Sequence, residues 1–329
     1  MVEMILDSLS KAVYILIFPG MLFASIVGLL LAGLDRKVLA RMQRRKGPPI
    51  LQPVYDFLKL MGKETIIPHA ANKWAFLGAP ILGFVSLIVI MFFLPLCGYR
   101  FAFGAAAIEG DLIIILYLLT IPAVAMIIGG SASGSPFAGI GISREMVAMM
   151  AYELPLVIIL LAVGKEAGGD AFSFSLVNIV DVQNGALPFI ANWKLIPAAL
   201  AMLLVIPAEV GTQPFDVAEA ETEICEGPLV EYSGAPLAMF KLNTAVKMFI
   251  MTALFSVLFF GGVNFGIDAW YGYVLNFGVL LAACAGITLL CMTLIHAITA
   301  RLKIEHMFKF YWTFVTALAS ISLILVWIF

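Results

Sequence analysis

Long apolar runs dominate the sequence and constrain the fold more than any other feature. A membrane-spanning helix needs about 20 predominantly apolar residues. Only 12% of the 329 residues are charged, about half the share of a typical soluble domain. The sequence therefore predicts an all-α, polytopic membrane protein, a single membrane domain over residues 1–329 with about eight transmembrane helices. The predicted spans are residues 12–34, 75–97, 112–130, 144–163, 195–209, 237–262, 272–297 and 309–329.

The distribution of basic residues predicts the orientation of these spans. Thirteen lysines and arginines fall in or beside the loops 35–74, 131–143, 210–236 and 298–308, which we call loops one, three, five and seven. Only four fall on the opposite side. Because loops rich in lysine and arginine stay in the cytoplasm, we expect these four loops there. Both termini of this multi-pass protein of the cell membrane are then on the outer side. The N-terminus has two acids before its first base, which predicts a retained span rather than a signal peptide.

Loop five gathers an unusual share of the carboxylates. Residues 206–234 contain seven of the 21 acidic residues and no lysine or arginine. Carboxylates held close together repel each other, which raises some of their pKa values and couples their titration. A solvated loop is the alternative, but apolar residues are interleaved with the acids. Helical spacing also places Glu219, Glu223 and Glu226 on one face. We therefore expect a segment that folds inward and carries protons.

Two ionisable residues fall within predicted spans. Glu153 is near the middle of span 144–163, where a charge costs on the order of 2.5–3.5 kcal/mol. It is predicted to relay protons; the alternative is a neutral Glu153 bonded to a carbonyl that Pro155 leaves free. Lys247 lies too far inside its span to reach the interface easily. Glu145 follows Arg144 directly and could simply pair with it.

Two further patterns predict packing. After the GPP turn of loop one, apolar residues fall near one face of a predicted helix: Leu51, Val54, Phe57, Leu58 and Met61. That helix is either an interfacial anchor or a docking floor for a soluble partner. In span 272–297, Gly278, Ala282 and Gly286 recur every four residues, a spacing that predicts close packing between helices.

Three segments carry a family resemblance. They are DRKVLARMQRRKGPPILQPVYDFLKL in loop one, SREMVAMMAYELPL opening the fourth span, and AEVGTQPFDVAEAETEICEGPLVEYSG in loop five. In this order they resemble the NADH dehydrogenase subunit 1 / H-subunit family of complex I. The resemblance implies a helical membrane subunit that joins a soluble electron-transfer arm to antiporter-like membrane subunits. It also implies a carboxylate-lined proton path, here Glu153, Glu209, Asp216, Glu219, Glu221, Glu223 and Glu226.

Two departures from the family pattern point to one branch of it. Quinone-reducing members usually have a longer glycine-rich insert before the LQP of loop one, whereas this chain has only GPPILQP. In loop five, Gly211 and Thr212 occupy the positions where the family usually has Asn-Arg. The compact loop looks more like the anchor subunit of membrane-bound, energy-converting nickel–iron hydrogenases. That likeness implies partners comprising hydrogenase large and small subunits and an iron–sulfur subunit, which would carry [4Fe-4S] clusters and a nickel–iron site. The arm would dock on Arg41, Arg44, Arg45, Gly47, Pro48, Gln52, Pro53, Asp56 and Arg144.

The resemblance also implies what the chain does. It would couple electron transfer in the docked arm to proton or sodium translocation. We expect no cofactor or metal in this chain, because its four cysteines lack metal-ligand spacing, and no nucleic-acid partner. Two alternatives are an equivalent subunit of a quinone-reducing or sulfur-reducing complex, and a stand-alone secondary transporter. The second is disfavoured because such folds often contain internal repeats, and the two halves of this sequence show no convincing repeat.

Overall fold

The computed structural model describes residues 17, 20–96, 110–169, 171–185, 187–262 and 270–328, without the side chains of residues 221, 270 and 273. Within these residues the regular elements are helical. The long helices are α1 (Met21–Met42), α3 (Lys73–Phe93), α4 (Asp111–Ser133), α5 (Pro136–Gly168), α7 (Ile196–Val210) and α9 (Gly234–Phe260). Shorter helices are α2 (Gln52–Met61), α6 (Leu176–Gly185) and α8 (Glu221–Ile224), with 3₁₀ turns at Phe189–Ala191 and Gly227–Leu229.

The last two helical rods each contain a π-helical turn. The first, α10, comprises Trp270–Thr288, the π turn Leu289–Thr293 and Leu294–Ile298. The second, α11, comprises Ile304–Phe310, the π turn Tyr311–Val315 and Thr316–Ile328.

The described helices confirm the predicted all-α membrane fold. Six helical segments in the described ranges are long and apolar enough to cross a membrane: Lys73–Phe93, Asp111–Ser133, Pro136–Gly168, Gly234–Phe260, Val274–Ile298 and Ile304–Ile328. The apolar helix Ile196–Val210 is shorter. Residues 12–16, 18 and 19 of the first predicted span, residue 97 and residue 329 lie outside the described residues.

Helix α5 begins earlier than expected. Residues 136–143 belong to α5, whereas the sequence predicts them as part of loop three. Gly134 has a left-handed backbone (φ 70°) that ends α4, a conformation that suits glycine. Pro136 then occupies the first turn of α5, where its missing N–H costs nothing. Only two residues therefore separate α4 from α5.

Helix α9 is the centre of the molecule. Within its most apolar 18-residue window, 94% of residues are buried, whereas the corresponding share in the other five candidate spans is 50% or less. At Gly28 the α1 backbone approaches α9 so closely that a Cβ atom would overlap the Ala245 carbonyl oxygen. The side chains of α9 are thus positioned by protein on several sides.

Pro80, inside α3, leaves a helix carbonyl free, and a tertiary contact satisfies it. Pro80 has no N–H to donate to the Phe76 carbonyl, and the Tyr232 hydroxyl donates to that oxygen at 3.0 Å. The Asn243 amide of α9 donates to the Pro80 carbonyl at 3.0 Å. The Tyr232 bond replaces the one that Pro80 cannot donate, which allows proline inside a membrane helix. Together the two bonds fasten α3 to loop five and to α9.

The small-residue stripe of α10 does not pack as predicted. Gly278, Ala282 and Gly286 are exposed, and a Cβ at Gly278 or Gly286 would meet no atom of the described chain within 4 Å. Within the described part of the chain no other helix packs closely on this stripe, so packing against a helix of a neighbouring subunit stays a prediction.

Candidate functional site

Loop five begins at the C-terminus of α7 and folds back against the helices. Gly211, with φ 78°, ends α7. Helix α8 covers only four residues, and Cys225, Glu226 and Gly227 then have left-handed backbones in succession. Because left-handed residues break a helix, the predicted helical face of Glu219, Glu223 and Glu226 is wrong. A Cβ at Gly227 would overlap the Ala218 carbonyl oxygen, so this turn packs directly against the backbone of the preceding loop segment.

Glu209 and Lys247 form a buried ion pair at the base of loop five. The Lys247 Nζ atom lies 2.8 Å from Glu209 Oε1. The two side chains are 8% and 2% exposed, so neither charge is compensated by bulk water. Removing one partner of such a pair leaves a costly isolated charge. Lys247, which the sequence marks as too deep to reach the interface, therefore has a partner inside the protein.

Two more acids of loop five have basic partners from other loops. The Arg301 guanidinium donates to both carboxylate oxygens of Asp216, at 2.9 and 2.6 Å. Arg144 pairs with Glu223 and donates to the Val217 carbonyl at 3.4 Å. Asp216 and Glu223 are therefore each paired with an arginine. The predicted mutual repulsion of unpaired carboxylates does not apply to these two residues. Arg144 thus pairs with Glu223 rather than with the neighbouring Glu145.

Glu219 is the acid of loop five whose protonation the surroundings perturb most clearly. Its side chain is partly buried, and burial is the main cause that raises its pKa from 4.5 to about 7. The charges of Glu145, Asp216 and Glu226 raise the pKa further, and Lys241 opposes them. The sequence prediction of a raised carboxyl pKa in loop five thus applies to Glu219.

A small cavity of about 50 Å³ lies between loop five and α5, α7 and α9. A water molecule occupies at least about 10–15 Å³ of such space, so the cavity has room for a few waters. The ionisable residues in its wall are Glu145, Glu209, Asp216, Glu219 and Lys247. Glu145 therefore faces this cavity with the buried ion pair.

A second cavity of about 460 Å³ lies among α1, α2, loop five and α9. Val210, Glu219 and Thr244 line both cavities. Glu219 is the titratable residue common to both walls. Glu219 therefore lies between the large cavity and the acids that line the small cavity with Lys247.

Glu153 continues this series into α5. The charges of Glu209 and Lys247 both act on the Glu153 carboxyl, and the same two charges act on Glu145. Glu153 is partly buried, and its carboxylate accepts no hydrogen bond from the described residues. The buried Tyr152 hydroxyl, on the adjacent position of α5, is also within reach of the Glu209, Glu145 and Glu153 charges.

The remaining predicted acids are placed differently. Glu226 is exposed on the left-handed turn. The side chain of Glu221 lies outside the described part of the structure. Glu226 lines neither cavity, although its charge acts on Glu219.

The predicted docking residues divide into an exposed group and an internally bonded group. Arg41, Arg44, Arg45 and Pro48 are exposed. The Asp56 carboxylate, in contrast, accepts bonds from Gln52 at 2.9 Å and from Arg36 at 3.3 Å. Pro53 is buried, Gly47 is partly buried, and Arg144 is bonded to loop five.

The predicted helix of loop one forms as α2, and its apolar residues divide between two surfaces. Val54 and Phe57 pack against the core. Leu51, Leu58 and Met61 are exposed.

Sequence reasoning missed several members of the site. Lys247 carried a usable signal, since a lysine deep in a span needs an anion. Arg301, 85 residues from Asp216, offered no local signal. Among the described residues there is no cluster of His, Cys, Asp or Glu that could hold a metal ion.

Comparison with known proteins places the chain in a family. The family model described as NADH dehydrogenase matches residues 13–327. The chain belongs to the NADH dehydrogenase family. Within it, the chain is 30% identical over 311 residues to the H subunit of the NADH-quinone oxidoreductase of Anaplasma marginale, covering 88% of this chain and 87% of that protein. It is 35% identical over 268 residues to NADH-ubiquinone oxidoreductase chain 1 of Dictyostelium citrinum, covering 78% and 80%.

A solved structure agrees with this placement in the NADH dehydrogenase family. A chain of the membrane-bound sulfane sulfur reductase, an archaeal respiratory membrane complex, matches with a TM-score of 0.84 and 33% identity. The match covers 93% of this chain and 96% of the other. The predicted resemblance to the subunit 1 / H-subunit family is therefore confirmed. This member of the NADH dehydrogenase family is an integral membrane subunit of the complex I-like respiratory type.

Proposed function

We propose that this subunit couples electron transfer in a docked soluble arm to proton or sodium movement through the series Glu219, Glu145, the Glu209–Lys247 pair and Glu153. The observation that carries the proposal is the position of Glu219. It lines both cavities, and its pKa of about 7 lets it take up and release a proton near neutral pH.

The small cavity provides the link from Glu219 to the interior. Its wall brings Glu219, Glu145 and Glu209 around space for a few waters, and waters with several polar partners can bridge such groups. The Lys247 charge sits beside Glu209 at 2.8 Å. A proton arriving at Glu209 would weaken this pair and free Lys247 to act on the next carboxyl. The change would thereby pass to Glu153, on which both charges act.

The trigger in this proposal is a change of charge or packing at loop five. A redox event in the docked arm would change the field at Glu219, and the coupled carboxylates would shift their protonation. Arg301 and Arg144 hold Asp216 and Glu223. They anchor loop five on both sides of Glu219, so movement at the loop would reach Glu219 directly.

Substitution of Glu153 tests the proposal. Glu153→Gln keeps the size of the side chain and removes its ability to ionise, so ion translocation by the reconstituted complex should be lost. The complex should still assemble and transfer electrons. Glu305→Gln, at an exposed glutamate of α11, is the matched control and should pump normally. Normal pumping by Glu153→Gln would remove Glu153 from the path.

The identity of the arm is the finer part of the proposal. The compact loop one supports a hydrogenase-type arm, with large, small and iron–sulfur subunits that carry [4Fe-4S] clusters and a nickel–iron site, and antiporter-like membrane subunits beside this chain. Exposed Arg41, Arg44 and Arg45 offer a basic surface for it. Nickel in the purified complex together with hydrogen evolution would support this arm.

A sulfur-reducing arm is the second candidate. The structural match to the sulfane sulfur reductase complex, at 33% identity over 93% of the chain, supports it. Polysulfide reduction by a purified complex that contains no nickel would favour this candidate. Inhibition by quinone-site ligands would instead favour a quinone-reducing complex, the activity that the name of the Anaplasma marginale relative describes.

A further inference from the structure

The larger cavity changes from charged to apolar along its length. At the end near loops one and five its wall contains Asp35 and Arg36 of α1 and Lys241 of α9. Six residues deeper in α1 is Leu29, and seven residues deeper in α9 is Met248. At 1.5 Å per residue the two ends lie about 10 Å apart. The wall toward the deep end contains Leu29, Ala32, Ala245 and Met248, and the hydroxyl of Thr244 there is bonded to the Phe240 carbonyl at 3.3 Å.

The acids at the charged end are already engaged. Asp35 accepts a hydrogen bond from the Thr293 hydroxyl at 2.6 Å. Asp56 is bonded to Arg36. Glu219, with its pKa of about 7, is neutral for part of the time at neutral pH. The positive charges in the wall, from Arg36 and the three lysines Lys59, Lys63 and Lys241, therefore exceed its negative charges, of which Asp35 and Asp56 are full and Glu219 is partial.

The lysines at the same end form no close ion pair within the described ranges, although the Lys241 charge acts on Glu219. Lys59, Lys63 and Lys241 line the cavity and are exposed. Within the described ranges, none of the three has an acidic group within ion-pair distance. Three exposed ammonium groups at the mouth of a cavity with a largely apolar interior complement an amphiphile that has an anionic head and a hydrocarbon tail.

We propose that this cavity is a binding site for an anionic membrane phospholipid, whose phosphate lies among Lys59, Lys63 and Lys241 and whose acyl chain extends toward Leu29 and Met248. A cavity of about 460 Å³ takes the headgroup end of the lipid and the first part of one chain. The tail accounts for the apolar end, which a free phosphate would leave empty. The phosphate accounts for the three lysines, which a neutral amphiphile would leave without a partner.

Lipid binding to the purified complex in nanodiscs tests the proposal. The probes are phosphatidylglycerol and phosphatidylcholine with the same acyl chains, so that only the headgroup charge differs. We expect phosphatidylglycerol to be retained through gentle delipidation, as measured by native mass spectrometry, and phosphatidylcholine to be lost. The Lys59→Gln/Lys63→Gln/Lys241→Gln variant should bind phosphatidylglycerol on the order of 100-fold more weakly, since each lysine contributes about a factor of five.

A second triple variant is the matched control. Lys46, Lys73 and Lys303 are exposed lysines outside the cavity, and their replacement by glutamine should leave phosphatidylglycerol retention unchanged. Ala32→Phe, which places a ring in the apolar end, should weaken retention without altering charge. Any one of four results would overturn the proposal: equal retention of both lipids, undiminished binding by the cavity variant, a quinone in place of the lipid, or no bound amphiphile.

Discussion

Replacing Glu219 by glutamine should make the stability of the complex less dependent on pH. The folded protein keeps the Glu219 proton up to a pH of about 7, because burial raises the pKa of this carboxyl, whereas an unperturbed glutamate releases it near 4.5. Between these values the folded state binds more protons than the unfolded chain. Stability therefore falls as the pH rises through this window and levels off above it.

The size of the effect follows from the same two values. One pKa unit corresponds to about 1.4 kcal/mol, so the change from 4.5 to about 7 amounts to roughly 3 kcal/mol. Glutamine cannot ionise and resembles the protonated side chain. We therefore expect Glu219→Gln to gain up to roughly 3 kcal/mol of stability relative to the native chain between about pH 5 and about pH 8.

Thermal unfolding of the purified complex at these two pH values measures the difference. Glu231→Gln is the control, because Glu231 is an exposed acid of the same loop, and its effect should be the same at both pH values. If Glu219→Gln differed from the native chain by a constant amount at both pH values, Glu219 would ionise normally. The reasoning from burial would then be refuted.

Two further substitutions test the packing around the site. Lys247→Met isolates the buried Glu209 carboxylate and should cost about 3–5 kcal/mol of stability. In thermal unfolding, the double variant with Glu209→Gln should recover most of this loss. Equal stability of the single and double variants would contradict the role of the ion pair. Gly33→Ala adds a Cβ that overlaps the Ile50 carbonyl oxygen and should lower the melting temperature by several degrees. Gly278→Ala, where a Cβ meets nothing within 4 Å, should leave it unchanged.

Most of the long helices could be predicted from the sequence because a membrane span needs about 20 predominantly apolar residues. The apolar run at residues 195–209 corresponds closely to helix Ile196–Val210. The start of α5 was predicted wrongly because its first turns are rich in glycine and serine and have no hydrophobic period. The helix nevertheless begins there, because Gly134 has a left-handed backbone that ends α4 and Pro136 suits the first turn of α5.

The candidate site was only partly predictable. The concentration of acids in loop five and the depth of Glu153 follow from composition and position. Their partners do not, because Arg301 and Asp216 meet only when loops seven and five pack together. The short α8 depends on left-handed backbones at Cys225 and Glu226, residue types that give no sequence signal for that conformation.

The central claim is that Glu219 changes its protonation in step with redox turnover. Redox-induced infrared difference spectroscopy of the reconstituted complex at about pH 7 observes carboxyl groups directly. We predict a carboxyl band that appears or disappears on turnover in the native complex and is absent from the Glu219→Gln spectrum. Identical difference spectra for the two complexes would contradict it.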